Sequence, residues 1–203
     1  AHEADFIRFD QKSARIGVAF RDSLREQRID IELSRSKSRS VTQNGVKISR
    51  MSEIVGQLRA VLFCPEHLNI IKEGPAMRRQ YLDVAISQLR PLYMRSLQRY
   101  NRILQQRNKL IKAAAEPEGR RNFDETVEFW SSELAHEAAF ITVSRVKYLE
   151  LASAVVGECF DEMTGGREVP EIEYMPSVRM SADEMRDAAR CEEIYAGRLA
   201  ENH

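Results

Sequence analysis

Gly74-Pro75 divides this chain into two parts that cannot adopt the same structure. Beyond it, apolar residues from Tyr81 and Leu82 through Ile86, Leu89, Tyr93, Leu97, Tyr100 and Leu104 to Ile111 recur at intervals of three and four, the period of a helix that buries one face. Proline suits the first helical position, where its missing N–H would have had no partner, and the glycine before it lets the chain turn. Pro91 interrupts the series, so two helices or one marked kink near Arg90 are expected.

A turn over Ala113 to Asn122, carrying Pro117 and Gly119, separates this helical stretch from a second at Phe123 to Phe160. Long helices joined by a short turn form an antiparallel hairpin. Its expected core contains Leu97, Tyr100, Leu104, Trp130, Leu134, Ile141 and Leu149. Thr164-Gly165-Gly166 ends the second helix, Val169 to Tyr174 reads as an isolated strand, and Ser181 with Glu184 forms a capping box for a last helix, Ala182 to Ala200.

Ahead of Gly74 the period is two. Ile16, Val18 and Phe20 alternate with small or polar neighbours, as do Ile29, Ile31 and Leu33 with Asp30 and Glu32, so both segments read as half-buried strands. Asp22 to Glu26 is short enough for a hairpin link, and Asn44-Gly45 is the dipeptide of a tight turn between Val41-Thr42 and Val46-Lys47-Ile48. Phe6 to Phe9 reads as one more strand or a helix end. Ser49 to Leu58 reads as a short helix leading into a buried strand at Ala60 to Cys64, which Pro65 stops. The fold class is therefore α+β: an antiparallel β meander over residues 1–64, then a helical domain over residues 65–203 with long helices at about 76–115 and 123–160 and a terminal helix at about 182–200.

A hydrophobic content of 43% with 31% charged residues is ordinary for a soluble, helix-rich chain. No apolar run approaches the roughly 18 residues of a membrane span, and Ala1 to Phe6 lacks the basic and apolar regions of a signal peptide, so no membrane partner and a cytoplasmic location are expected. Cys64, Cys159 and Cys191 are too few and too scattered for a disulfide framework. The net charge of zero hides a polarity: Lys and Arg number 12 against 9 Asp and Glu over residues 1–71, 12 against 4 over residues 72–121, and 7 against 18 over residues 122–203. A polyanion would meet the middle segment very differently from the last.

The chemistry-bearing motifs are mostly absent. There is no G-x-x-x-x-G-K-[ST] phosphate loop and no apolar run ending in Asp-Glu to hold a catalytic magnesium, so these residues are expected neither to bind nor to hydrolyse ATP. His2, His67, His136 and His203 are scattered and none shares zinc spacing with a cysteine, so no metal site is expected.

Within Val61 to Asp83, however, Pro65-Glu66, Ile70-Ile71, Gly74-Pro75, Arg78-Arg79 and Tyr81-Leu82-Asp83 closely resemble the signature of the RecF family, bacterial DNA replication and repair proteins of the ABC/SMC-like ATPase class. The family usually reads Gly-Gly-Pro where this chain has Glu73-Gly74-Pro75. Arg99-Tyr-Asn-Arg-Ile-Leu-Gln-Gln-Arg-Asn-Lys109 resembles a second family segment, so the likeness covers about residues 45 to 115. The resemblance implies a middle fragment: part of the antiparallel lobe of an ABC-type head followed by its arm, with the phosphate loop upstream and the ABC signature and Walker B segments downstream. It implies ATP and magnesium for the parent alone, which would be a weak DNA-dependent ATPase. Its partners would be duplex, gapped or junction DNA, a second copy in an ATP-dependent homodimer, and RecO and RecR in loading recombinase. Pro65-Glu66 would lie near the loop that senses the γ-phosphate, although such loops more often present glutamine. From the residues alone, a free-standing helical-hairpin interaction module without nucleotide binding stays open.

Two basic patches are candidates for DNA. Arg95, Arg99, Arg102, Gln106 and Lys109 share one helical stripe, which Arg107 and Lys112 widen; Arg35, Lys37 and Arg39 cluster near a hairpin tip. Each is also readable as a solvated face, and the stripe as a set of partners for Asp124, Glu125, Glu128, Glu133 and Glu137 on the next helix. Arg79 and Asp83, four residues apart, are spaced for an exposed ion pair, while Arg78-Arg79 in a first helical turn favours an anionic partner.

Overall fold

The alternating segment forms a four-stranded antiparallel sheet in which every neighbour in sequence is a neighbour in space. The computed structural model describes residues 2–114 and 123–201, and the chain divides into two units, Ala1–Phe63 and Cys64–His203.

In the first unit, β1 (Ser13–Arg21), β2 (Glu26–Ser34), β3 (Ser40–Gln43) and β4 (Val46–Ile48) run as a meander. The register pairs Ile16 with Ile31 and Val18 with Ile29, so the alternating apolar residues fall on one face, while Arg15, Asp30 and Thr42 share the other. Ile29, Leu33 and Val41 are buried together with Ile7. The β1–β2 turn is organised by Asp22, whose Oδ1 accepts the backbone N–H groups of Leu24 and Arg25 at 2.8 and 2.7 Å. These bonds hold its carboxyl below the usual range. Asn44 and Gly45 both adopt positive φ, 52° and 81°, as their turn requires. Two expectations fail here. Only a 3-10 turn, Met51–Glu53, forms where a helix from Ser49 to Leu58 was expected, since Gly56 at φ 86° breaks the helical path. Residues 60–64 join none of the four strands: a segment apolar at successive residues needs cover on both faces, and Val61, Leu62 and Phe63 are exposed.

The second unit opens with a 3-10 turn, Pro65–Leu68, and the single turn α1 (Asn69–Lys72). Then come α2 (Pro75–Leu89), α3 (Pro91–Ala113) and α4 (Phe123–Thr164). Arg90 takes extended angles between α2 and α3, with Pro91 at the first position of α3, so the break falls where proline dictates. The turn expected at Ala113 to Asn122 falls mostly on residues 115–122, outside the described residues. Contacts pair Ser96 with Glu137 and Tyr93 with Arg145, which sets α3 and α4 antiparallel. Gly165 and Gly166, at φ 64° and 73°, end α4 with N–H groups turned back to the Asp161 carbonyl.

Leu82, Ile86, Tyr93 and Ile141 form one buried cluster, and Ala139, Val143 and Cys191 a second against the C-terminal helices. The buried residue of the Ile103-Leu104 pair is Ile103; Leu104 and Trp130, expected in the core, are half-buried. The Ser181–Glu184 capping box forms, but the final helix is divided into α5 (Ala182–Arg186) and α6 (Ala188–Ala200). Asp187 causes the division by turning its Oδ1 to the N–H groups of Ala189 and Arg190 and capping a new start. No strand forms at Val169 to Tyr174. Among the described residues no helix is long and apolar enough to cross a membrane.

Candidate nucleic-acid interface

Between Pro91 and Ala113, α3 carries six basic residues and no acidic one. At about 100° per residue, Arg99 and Arg107 lie roughly 40° and 120° to one side of Arg95, and Arg102, Lys109 and Lys112 roughly 20°, 40° and 100° to the other. That division decides their fates. Arg99 turns to α4, where it is paired with Glu133 and, at 3.1 Å, with Glu137. Glu137 is itself 6% exposed and accepts the Ser96 hydroxyl at 2.5 Å, so Arg99 neutralises a carboxylate that would otherwise be buried with a single donor.

Arg107, expected to widen the outer stripe, points inward and is 5% exposed. Its Nε donates to Ser131 Oγ at 2.8 Å and an Nη to the Leu199 carbonyl at 3.1 Å. Desolvation lowers its pKa from the ordinary guanidinium value. Arg95, Arg102, Lys109 and Lys112 are exposed, and among the described residues none of them is in an ion pair. Arg95, Arg102 and Lys109 repeat every seven residues, about 10.5 Å apart along the helix. The amides of Gln98, Asn101, Gln105 and Asn108 are exposed with them. The outer face is therefore made of cations and amides, a surface that attracts and hydrogen-bonds phosphate oxygens.

The second basic patch is largely committed to the sheet unit. Arg35 donates to the carbonyls of Gln11 and Ile7 at 3.1 and 3.0 Å, tying the N-terminal segment to the sheet, and Arg39 is paired with Glu3. Lys37 is exposed.

The residues around α2 have roles that differ from the simplest reading. Pro65 opens the 3-10 turn and Glu66 is exposed beside it, its carboxyl held below the usual range by its own backbone N–H and by Cys64. Gly74 caps α2 at φ −74°, an angle open to any residue, and Pro75 takes the first position. Arg78 donates to the carbonyls of Ile70 and Ile71 at 3.0 and 3.4 Å, capping α1, whereas Arg79 is exposed. Asp83 does not pair with Arg79. It accepts from Arg145 at 2.7 Å and from the Tyr93 hydroxyl at 2.5 Å. Arg145 also donates to Tyr93 at 3.0 Å and to Tyr174 at 3.3 Å. Burial disfavours the charged guanidinium, but Tyr93, Asp83 and Tyr174 more than offset this and hold Arg145 above its ordinary value. One arginine thus joins α2, α3, α4 and the segment that follows α4.

The chain is 31% identical over 176 residues to the DNA replication and repair protein RecF of Lachnospira eligens and 34% identical over 202 residues to that of Geobacillus sp. (strain WCH70). Those alignments cover 87% and 98% of this chain and 48% and 52% of the relatives. Two solved structures of the recombination mediator protein RecF in the RecFOR pathway, RecF-ATP and RecF-ATPrS, align with TM-scores of 0.88 and 0.85 at 28% and 29% identity. They cover 100% and 99% of this chain and 52% and 53% of theirs. The chain is similar to RecF over nearly its whole length. It spans about half the length of the curated relatives it matches. No family model matches it.

In this RecF-like chain, the signature-like segment acts as a joint. Arg78 ends α1 and Asp83 fixes α2 against α4. Arg145 was missed in the sequence, and so was the inward turn of Arg107. A signal for the first existed: Arg145 is a lone cation inside the apolar stretch Ala138 to Val146, where an unpartnered charge would be costly. Among the described residues no group of three or more His, Cys, Asp or Glu side chains is placed to hold a metal.

Proposed function

We propose that these 203 residues are the middle half of a RecF-length DNA repair ATPase, residues 1–64 contributing the antiparallel lobe of its head and residues 65–203 its arm. The likeness to RecF proteins over nearly the whole chain supports this. The parent binds duplex DNA at gaps and junctions as an ATP-dependent dimer in the cytoplasm, hydrolyses ATP weakly and, with RecO and RecR, helps load recombinase. The residues in hand do not fit a nucleotide site: they contain no phosphate loop, and the described ones offer no carboxylate cluster for magnesium. On this reading both belong to segments outside them.

The observation that carries the DNA role is the outer face of α3, where Arg95, Arg102, Lys109 and Lys112 stand exposed on a helix with no acidic residue. A row of cations meets phosphates and reads no bases, so binding has little sequence preference and weakens with salt. In the ATP-bound RecF-length protein, replacing Arg102 and Lys109 together by Ala lowers the slope of log K against log salt by about 1.8, roughly 0.9 for each phosphate that is no longer neutralised. Arg99→Ala, by contrast, leaves the slope unchanged, because Arg99 is held by Glu133 and Glu137. Equal slopes for the double variant and the unaltered protein would remove α3 from the DNA interface.

A further inference from the structure

We propose that Asn101 and Asn108 make the outer face of α3 selective for duplex, by contacting the strand opposite the one whose phosphates meet Arg95, Arg102 and Lys109. The inference rests on the reading of this face as the DNA contact and concerns the half of it that carries almost no charge. Exposed positions of a helix are commonly filled by charges of both signs, three or four residues apart, that pair with one another. The outer face of α3 has no acid, and beside its cations stand the exposed amides of Gln98, Asn101, Gln105 and Asn108. Among the described residues none of these four side-chain amides has a hydrogen-bond partner. Asparagine is among the weaker helix formers, because its amide competes with the backbone. Two of them nevertheless stand exposed in the middle of α3 with nothing of the protein to hold.

Their placement is regular. Measured round the helix from Arg95 at about 100° per residue, Arg102 and Lys109 lie at roughly 20° and 40°, and Asn101 and Asn108 at roughly 120° and 140° in the same direction. Both sets repeat every seven residues, about 10.5 Å, so they form two parallel rows. On a helix about 11 Å across, rows about 100° apart stand about 8 Å from each other, with Gln98 and Gln105 between them at roughly 60° and 80°. Lys112, at roughly 100°, closes the amide side with a single charge. A single strand offers one line of phosphates, which one row can follow. A duplex offers two, on the walls of grooves roughly 6 and 12 Å wide, so two rows about 8 Å apart with flexible side chains meet both walls at once. Cations neutralise the phosphates of one wall, and amides donate hydrogen bonds to phosphate and sugar oxygens of the other without releasing counterions.

The test uses the ATP-bound RecF-length protein with a mixed-sequence duplex of about 30 base pairs, several times the roughly 21 Å from Arg95 to Lys109, and with one of its strands alone. Both are titrated from low salt, where the cations alone hold either. Asn101→Ala with Asn108→Ala removes two neutral hydrogen bonds, and because alanine favours the helix the fold is kept. Duplex affinity falls roughly 10-fold at every salt concentration, and affinity for the single strand stays within about 2-fold. The slope of log K against log salt is unchanged, because no charge is lost. An unchanged duplex affinity would make the asparagines a solvated face and overturn the proposal. Equal losses on both substrates would place them on the same strand as the cations, and a lower slope would mean that the change disturbs the cations themselves; either also overturns it. Comparison with the Arg102 and Lys109 double variant separates the two readings. A slope that falls with those cations while the asparagine variant binds normally sinks this inference alone, whereas a slope indifferent to the cations removes α3 from DNA and this inference with it.

Discussion

Replacing Asp83 by Asn removes one charge and almost no volume, which makes it a clean probe of the joint between α2 and α4. The Asp83 side chain is 24% and Arg145 11% exposed, so the pair is shielded but not dry. Removing one partner of a fully buried pair costs about 3 to 5 kcal/mol, mostly because the other charge is left without compensation. Partial access of water to Asp83 moves the expectation to the low end, about 2 to 3 kcal/mol, a large part of the 5 to 15 kcal/mol typical of a whole domain. Trp130 is the single tryptophan of the chain and lies in α4, so its fluorescence under urea follows the helical unit and not the sheet. With an m-value near 2 kcal/mol per molar, the midpoint falls by about 1 to 1.5 M. Arg145→Met in the Asp83→Asn background then recovers part of the loss, because the uncompensated cation is gone. A midpoint shift under 0.25 M, or strictly additive effects of the two changes, would refute the assignment of Asp83 and Arg145 as a coupled pair.

Two further outcomes follow from the same unit. Ile103→Ala lowers its stability by about 2 to 5 kcal/mol, whereas Leu104→Ala, at a half-buried position, costs less than half as much; the reverse order by Trp130 fluorescence would mean that the register of α3 is wrong. Burial raises the phenols of Tyr148 and Tyr195 to about 12, above the ordinary 10, so the fold favours their neutral forms. Their contribution is fully present below pH 10 and is lost as pH rises towards 12; a urea midpoint that does not fall between pH 9.5 and 11.5, or falls equally in Tyr195→Phe, would contradict this.

The elements readable in the sequence were those whose causes are local. Asn44-Gly45 fixed a turn through its own backbone preferences, Pro91 a break through its missing N–H, and Ser181 a helix start through its own hydroxyl. What escaped reading depends on neighbours. The spacing of Arg95, Arg99, Arg102 and Lys109 places them within one broad arc of α3, but only the position of α4 decides that Arg99 is drawn in and Arg102 left out. Asp83 has a spacing partner in Arg79 and a true partner in Arg145, 62 residues on, because a short-range pair in water is worth a few tenths of a kcal/mol and a shielded one far more. Asp187 divided a helix because an aspartate able to cap its own successors competes with helix continuation, a local signal that was present and was passed over.

The bond from Arg107 to the Leu199 carbonyl spans 92 residues. A ribosome adding roughly 5 to 20 residues per second needs about 5 to 20 s to travel that distance. Throughout that interval α3 is already made, and a guanidinium that will be sealed from water has one of its acceptors still untranslated. The native packing of α3 on α4, with Arg107 bonded to Ser131, can form before then, but the bond to Leu199 waits for α6.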